Sequence, residues 1–164
     1  MARTLDTDRV GPIWWAVGLI TYLLILGLSS ATGIVLLWPD NALSEEMRFV
    51  SPLNQDQGLI CLALLAGLVG SFQHTAQSLI TYIGKGQFER PWIAWYVVRP
   101  WLGALLGFTV YFACRAGLVT GATGMNPYGV VALGVFAGWF SKTATNKLQE
   151  VFETFFRTED SKDA

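Results

Sequence analysis

The chain has 164 residues, of which 52% are hydrophobic and 14% are charged, and its net charge at pH 7 is −1. Soluble domains carry about 25% charged residues, so this composition favours a one-domain polytopic membrane protein over a soluble one. A near-neutral chain without a basic cluster gives no reason to expect nucleic acid, so none is predicted as a partner.

The first apolar segment predicts a transmembrane helix over residues 13–38, bounded by Pro12 and Pro39. A bilayer core takes about 20 apolar residues as helix, and tryptophans stand at both ends, as in interfacial aromatic belts. The segment is longer than the apolar region of a secretory signal and has no clean cleavage site behind it. It is therefore predicted to be retained as the first span.

Three further spans are predicted, over residues 58–83, 101–118 and 126–145. Pro100 sets the start of the third span, because proline interrupts a helix. The apolar core of the fourth, residues 128–140, is shorter than the roughly 20 residues that a bilayer needs. It is therefore expected to cross only by extending to Asn126 and Thr145.

Basic residues divide unevenly between the two sides that these spans define. Arg48 alone lies on one side, in an acidic loop, and eight lie on the side of both termini. The eight are Arg3, Arg9, Lys85, Arg90, Lys142, Lys147, Arg157 and Lys162. Because basic loops stay in the cytoplasm, both termini are predicted to be cytoplasmic, and an even number of spans agrees with this.

Four residues before the third span recur at i, i+3, i+4 and i+7 and so share one helix face: Trp92, Trp95, Tyr96 and Arg99. Pro100 is expected to kink or restart the helix. This aromatic face therefore predicts a short interfacial helix in the cytoplasmic headgroup layer, which turns into the membrane at Pro100. Arg99 and Arg115 lie about 24 Å apart along a helix, so each is predicted to anchor its own interface. The alternative is that one arginine faces a water-filled path.

Small residues four positions apart occur in every predicted span. Such pairs let helix backbones approach closely and gain dispersion contacts, which drive helix association in lipid. The pairs are Ser29 and Gly33, Ala66 and Gly70, Gly103 and Gly107, and Gly134 and Gly138. They predict a tightly packed four-helix bundle, and four short helices favour further packing between copies as a homo-oligomer.

The second span carries a polar stripe in its cytoplasmic half, in the segment GSFQHTAQSLITYIG. Its members share or border one helix face: Ser71, His74, Gln77, Ser78 and Thr81. Polar groups exposed to lipid cost several kcal/mol by transfer estimates, so this face must meet other helices, a partner chain or water. Three alternatives stay open: hydrogen bonds between helices, a pore lining open to the cytoplasm, and a ligand or proton-relay role for His74.

No catalytic, metal-binding or cofactor-binding residues are predicted. Cys61 and Cys114 lie inside apolar runs as small hydrophobes, and a single histidine completes no usual ligand set. The apolar cores of the spans contain no aspartate or glutamate, so the paired carboxylates or oriented dyads that catalysis needs are absent from them. The sequence thus predicts a protein that is not an enzyme.

After the fourth span, residues 146–157 predict a cytoplasmic amphipathic helix, and residues 158–164 a disordered tail. The predicted amphipathic helix carries an apolar stripe at helical spacing: Leu148, Val151, Phe152, Phe155 and Phe156. The stripe is expected either to pack under its own bundle or on the membrane, or to associate with copies of itself.

The segments WYVVRPWLGALLG and LGVFAGWFSKTATNKL, with the amphipathic tail, resemble a group of small bacterial membrane proteins of unassigned function. The resemblance covers residues 58–157 and brings no activity or site residues with it. It implies a multi-pass protein of the bacterial inner membrane.

The sequence as a whole predicts an all-α integral membrane protein with residues 1–157 in a single transmembrane domain. The predicted function is a small oligomeric assembly with an ion-permeable pore lined by the second span. The alternative is a structural or accessory subunit of a larger membrane complex. The predicted partners are membrane lipids, copies of the chain and other membrane subunits.

Overall fold

The computed structural model describes residues 13–39, 54–88, 91–118 and 126–156. These ranges contain no strand and form five α-helices: α1 (Ile13–Leu36), α2 (Gln55–Gly84), α3 (Trp92–Arg115), α4 (Pro127–Trp139) and α5 (Ser141–Phe156). The prediction of an all-α chain is confirmed for this part. The predicted tail over residues 158–164 and six of the basic residues used for orientation lie outside it: Arg3, Arg9, Arg48, Arg90, Arg157 and Lys162.

Three of the helices, α1, α2 and α3, are long and apolar enough to cross a membrane by length and composition. α4 has 13 residues, which gives it a length of about 20 Å, less than the roughly 30 Å of a hydrocarbon core. The long apolar helices are therefore confirmed, and α4 is as short as its apolar segment predicts.

The central element of the fold is α2, which packs against α1, α3 and α4. It begins with a capping box in which Asn54 and Gln57 each accept a hydrogen bond from the other's backbone N–H, at 2.9 and 3.0 Å. Half of the residues in its most apolar stretch are buried, compared with 22% in α1. α1 therefore lies at the periphery, and α2 holds the other helices together.

The structure corrects the prediction of a short interfacial helix before the third span. α3 is one continuous helix from Trp92 to Arg115, with Pro100 inside it and buried. Transmembrane helices tolerate proline where neighbouring helices satisfy the freed backbone groups. Pro100 has no N–H for the Tyr96 carbonyl, four residues earlier. Close to this position the Val97 carbonyl accepts a hydrogen bond from the Tyr22 hydroxyl at 3.1 Å, and the Arg99 carbonyl accepts one from the Ser71 hydroxyl at 3.0 Å, so α1 and α2 both contact α3 around the proline.

The end of α4 also differs from the predicted span over residues 126–145. α4 ends at Trp139, Phe140 leaves helical geometry with ψ near 40°, and α5 begins at Ser141 rather than at 146. Apolar periodicity does not detect a break between two helices that follow each other directly. The start of α4 agrees with the predicted start of the span at residue 126. Asn126 is the N-cap of α4, and its side chain accepts a hydrogen bond from the Gly129 N–H at 3.1 Å.

Candidate functional site

The core between α2, α3 and α4 is built on glycine. A methyl group added at Gly67 would overlap the Gly103 carbonyl oxygen, and one added at Gly138 would overlap the Gly67 carbonyl oxygen. The backbones of the three helices are therefore in direct contact. The small residues singled out in these helices are all buried: Ala66, Gly70, Gly103, Gly107, Gly134 and Gly138.

The pair predicted in α1 contributes less. Ser29 is exposed and donates to the Leu26 carbonyl of its own helix at 3.1 Å. Gly33 faces the Leu65 side chain, 3.0 Å from where its Cβ would lie. Gly27, which was not among the predicted small residues, lies against the Phe72 ring. α1 therefore packs against side chains of α2, whereas α3 and α4 pack against the α2 backbone.

Part of the polar stripe of α2 meets α3. The Ser71 hydroxyl, 1% exposed, donates to the Arg99 carbonyl, and the hydroxyls of Ser78 and Tyr96 lie 3.2 Å apart in a hydrogen bond. Thr75, which the stripe did not include, is completely buried and donates to the Ser71 carbonyl at 2.6 Å. The Ser71 and Ser78 contacts are hydrogen bonds between packed helices, whereas the Thr75 bond lies within α2.

The rest of the stripe lies beyond the end of α4. A methyl group added at Gly70 would come within 2.9 Å of the Trp139 backbone nitrogen, so α4 ends level with Gly70. On α2 the same face continues, at helical spacing, through His74, Gln77 and Thr81. His74 is half-buried, whereas Gln77 and Thr81 are exposed.

We call the surface formed by His74, Gln77 and Arg99, past the end of α4, the notch. Arg99 is half-buried, and its carbonyl is hydrogen-bonded to Ser71, three residues before His74 on α2. α5 turns toward α3 and has no extensive contact with α2 among the described residues. The end of α4 thus leaves this polar surface of α2 without extensive contact to a further helix among the described residues.

The predicted anchor residues of α3 have different surroundings. Trp92 and Trp95 are exposed; the first packs edge-on against Tyr82 with ring centroids 4.9 Å apart, and the second lies beneath the Arg99 guanidinium. Tyr96, by contrast, is 1% exposed and belongs to a cluster with Leu19, Leu23 and Leu79. Helical periodicity places these residues on one side of α3, but α1 and α2 cover part of that side.

Arg115 lies at the other end of α3 and has a carboxylate partner. Its guanidinium is 3.4 Å from Asp56 in the first turn of α2, and the Tyr111 hydroxyl approaches the same carboxylate at 3.5 Å. This cluster could not be predicted from the sequence, because Asp56 and Arg115 are distant in the chain. The antiparallel packing of α2 and α3 brings them together.

No group of three His, Cys, Asp or Glu side chains in the described ranges could hold a metal ion. Cys61 and Cys114 are free thiols, the first half-buried and the second buried. Gln73 places its side-chain oxygen in the interior without a hydrogen-bond partner among the described residues. Among the described residues, no hydrogen bond joins these thiols or the Gln73 oxygen to the notch.

Comparisons with known proteins identify no relative of the chain. No family model matches it, and neither curated proteins nor solved structures give a match. The resemblance to small bacterial membrane proteins stays a prediction, so the functional interpretation depends on the geometry of the helices.

Proposed function

We propose that the chain is a structural or accessory subunit of a larger membrane complex in the bacterial inner membrane. α1, α2 and α3 each cross the bilayer, and α4 with the first turn of α5 makes the fourth crossing. The basic residues Lys85, Lys142 and Lys147 face the cytoplasm with both termini. The α-helical core is a four-helix bundle organised around α2.

The observation that supports this proposal is the use of the polar face of α2 inside the chain. Ser71 and Ser78 are hydrogen-bonded to α3, and α2 is flanked by three helices. A pore lining must border water along its length, whereas a face that hydrogen-bonds to a neighbouring helix stabilises packing. The geometry therefore favours a packing role for this half of the stripe.

α5 is the element that this subunit offers to its partners, whether other membrane subunits or copies of itself. Its exposed side chains pair along the helix, Lys147 with Glu150 at 2.6 Å and Gln149 with Glu153 at 2.8 Å. The sequence places an apolar stripe on another face of this helix. An amphipathic helix leaving a bundle is a common docking element for a complementary groove.

A pore lined by α2 is the second candidate function. It is favoured by the position of His74, Gln77 and Thr81 past the end of α4, where they can border a hydrated cytoplasmic vestibule. A pore in this position also requires copies of the chain to assemble around α2.

The experiment that separates the two functions is ion flux through vesicles containing the purified full-length chain. We expect the wild-type chain to give no flux above that of empty vesicles, and His74→Leu to leave this result unchanged. A channel-forming peptide added to the same vesicles serves as the positive control. Flux through the wild-type chain that His74→Leu abolishes would favour the pore and overturn the accessory-subunit proposal.

A further inference from the structure

Arg99 is a cation without a carboxylate partner in the part of the chain that the structure describes. No Asp or Glu within the described residues lies at ion-pair distance from it, whereas Arg115 on the same helix is paired with Asp56. Arg99 is half-buried and lies within a helix long and apolar enough to cross a membrane. Charged side chains at such positions are costly, and they commonly pair with a counter-ion or mark a functional site.

The guanidinium of Arg99 is directed toward the end of the fold where α3 begins. Its central carbon lies 5.6 Å from the ring centroid of Trp95, and Trp95 is one helical turn closer to the first residue of α3. Arg99 itself is about 10 Å along the axis from Trp92. In a bilayer this combination places the charge near the lipid phosphates, with tryptophans around it as in an interfacial belt.

The other groups of the notch are suited to an anion. His74 lies one turn along α2 from Ser71, which is hydrogen-bonded to the Arg99 carbonyl. Gln77, about one turn further along the same face of α2, is exposed. An imidazole N–H and an amide NH₂ add hydrogen-bond donors to those of the guanidinium. Guanidinium groups bind phosphate oxygens with two parallel hydrogen bonds, which gives both strength and orientation.

The surroundings favour a lipid over a free anion. Leu102, one turn deeper than Arg99 on α3, is 44% exposed, and Val98 beside it is 48% exposed. An acyl chain can lie along these side chains while its headgroup reaches Arg99. We propose that the notch binds the phosphate group of an anionic phospholipid of the cytoplasmic leaflet. This inference goes beyond the accessory-subunit function and shares with it only the embedding in a membrane.

The proposal is tested with the full-length chain in a mild, uncharged detergent, by native mass spectrometry during titration with phosphatidylglycerol. We expect one phosphatidylglycerol to bind more tightly than phosphatidylcholine, and Arg99→Gln to weaken its binding about tenfold through loss of the charge-assisted pair. Arg115→Gln is the matched control, since it removes the same charge from the other end of the same helix. It should leave this binding unchanged.

Thermal unfolding supplies a second measurement that does not depend on lipid retention. Phosphatidylglycerol should raise the unfolding temperature of the wild-type chain and of Arg115→Gln but not that of Arg99→Gln, while Arg99→Lys should keep part of the increase. Inorganic phosphate at the same concentration should have no effect. An equal effect of inorganic phosphate would overturn the assignment to a lipid, and equal lipid binding by wild type and Arg99→Gln would overturn the site.

Discussion

Gly138→Leu is expected to abolish the native packing of α2 against α4, with a loss of more than about 3 kcal/mol in the free energy of unfolding. Even the first carbon of a side chain at this position would overlap the Gly67 carbonyl oxygen and approach the Ser71 nitrogen at 2.9 Å. Both atoms belong to the backbone, so no rotamer change relieves the overlap. Thermal unfolding in detergent, with the mass of the folded particle, measures the effect.

Gly129→Leu is the matched control for this substitution. It lies in the same helix, and nothing lies within 4 Å of the position that its Cβ would occupy. The unfolding temperature of Gly129→Leu should stay close to that of the wild type, as should that of Leu105→Ala, whose side chain is 59% exposed. If Gly138→Leu behaves like these two controls, α2 and α4 do not meet at Gly138.

Tyr96→Ala is expected to give the second largest effect, a loss of about 3 kcal/mol in the free energy of unfolding. The ring is 1% exposed, packs with residues of α1 and α2, and lies 5.9 Å from the ring of Phe88. Removing it leaves a cavity at the junction of three helices. Equilibrium unfolding by a denaturing detergent compares this variant with the wild type.

Two further variants separate the contributions of the Tyr96 side chain. Tyr96→Phe removes only the hydrogen bond to Ser78 and should cost about 1 kcal/mol. Tyr128→Ala removes a tyrosine ring that is 65% exposed, so its effect should be much smaller than that of Tyr96→Ala. Equal losses for Tyr96→Ala and Tyr128→Ala would contradict the burial of Tyr96 between the helices.

The apolar helices could be predicted from the sequence because length and composition alone define them. The continuation of α3 through Pro100 could not, since the neighbours of this proline belong to other helices, whose Tyr22 and Ser71 hydroxyls bond to the nearby Val97 and Arg99 carbonyls. Tyr22 also accepts a hydrogen bond from the Trp101 indole at 2.9 Å. Local rules treat proline as a break, whereas tertiary contacts decide whether the helix continues.

The polar stripe of α2 could be located from helical spacing, but its surroundings could not. Spacing places Ser71, His74 and Ser78 on one side of α2. It does not reveal that α4 ends level with Gly70, which leaves His74 past the end of that helix while Ser71 contacts α3. The partner of each residue follows from where the neighbouring helices end.

Thiol accessibility tests most directly whether α3 closes the Ser71–Ser78 side of α2. Single cysteines at positions 71, 78, 77 and 81 are introduced into a chain in which Cys61 and Cys114 are replaced by alanine. A water-soluble thiol reagent then probes the folded, membrane-reconstituted protein. We predict rapid modification at positions 77 and 81. Modification at 71 and 78 should be at least about tenfold slower, because the reagent reaches these positions only when α2 and α3 separate locally. Equally rapid modification at all four positions would contradict the closed packing and indicate a hydrated path along α2.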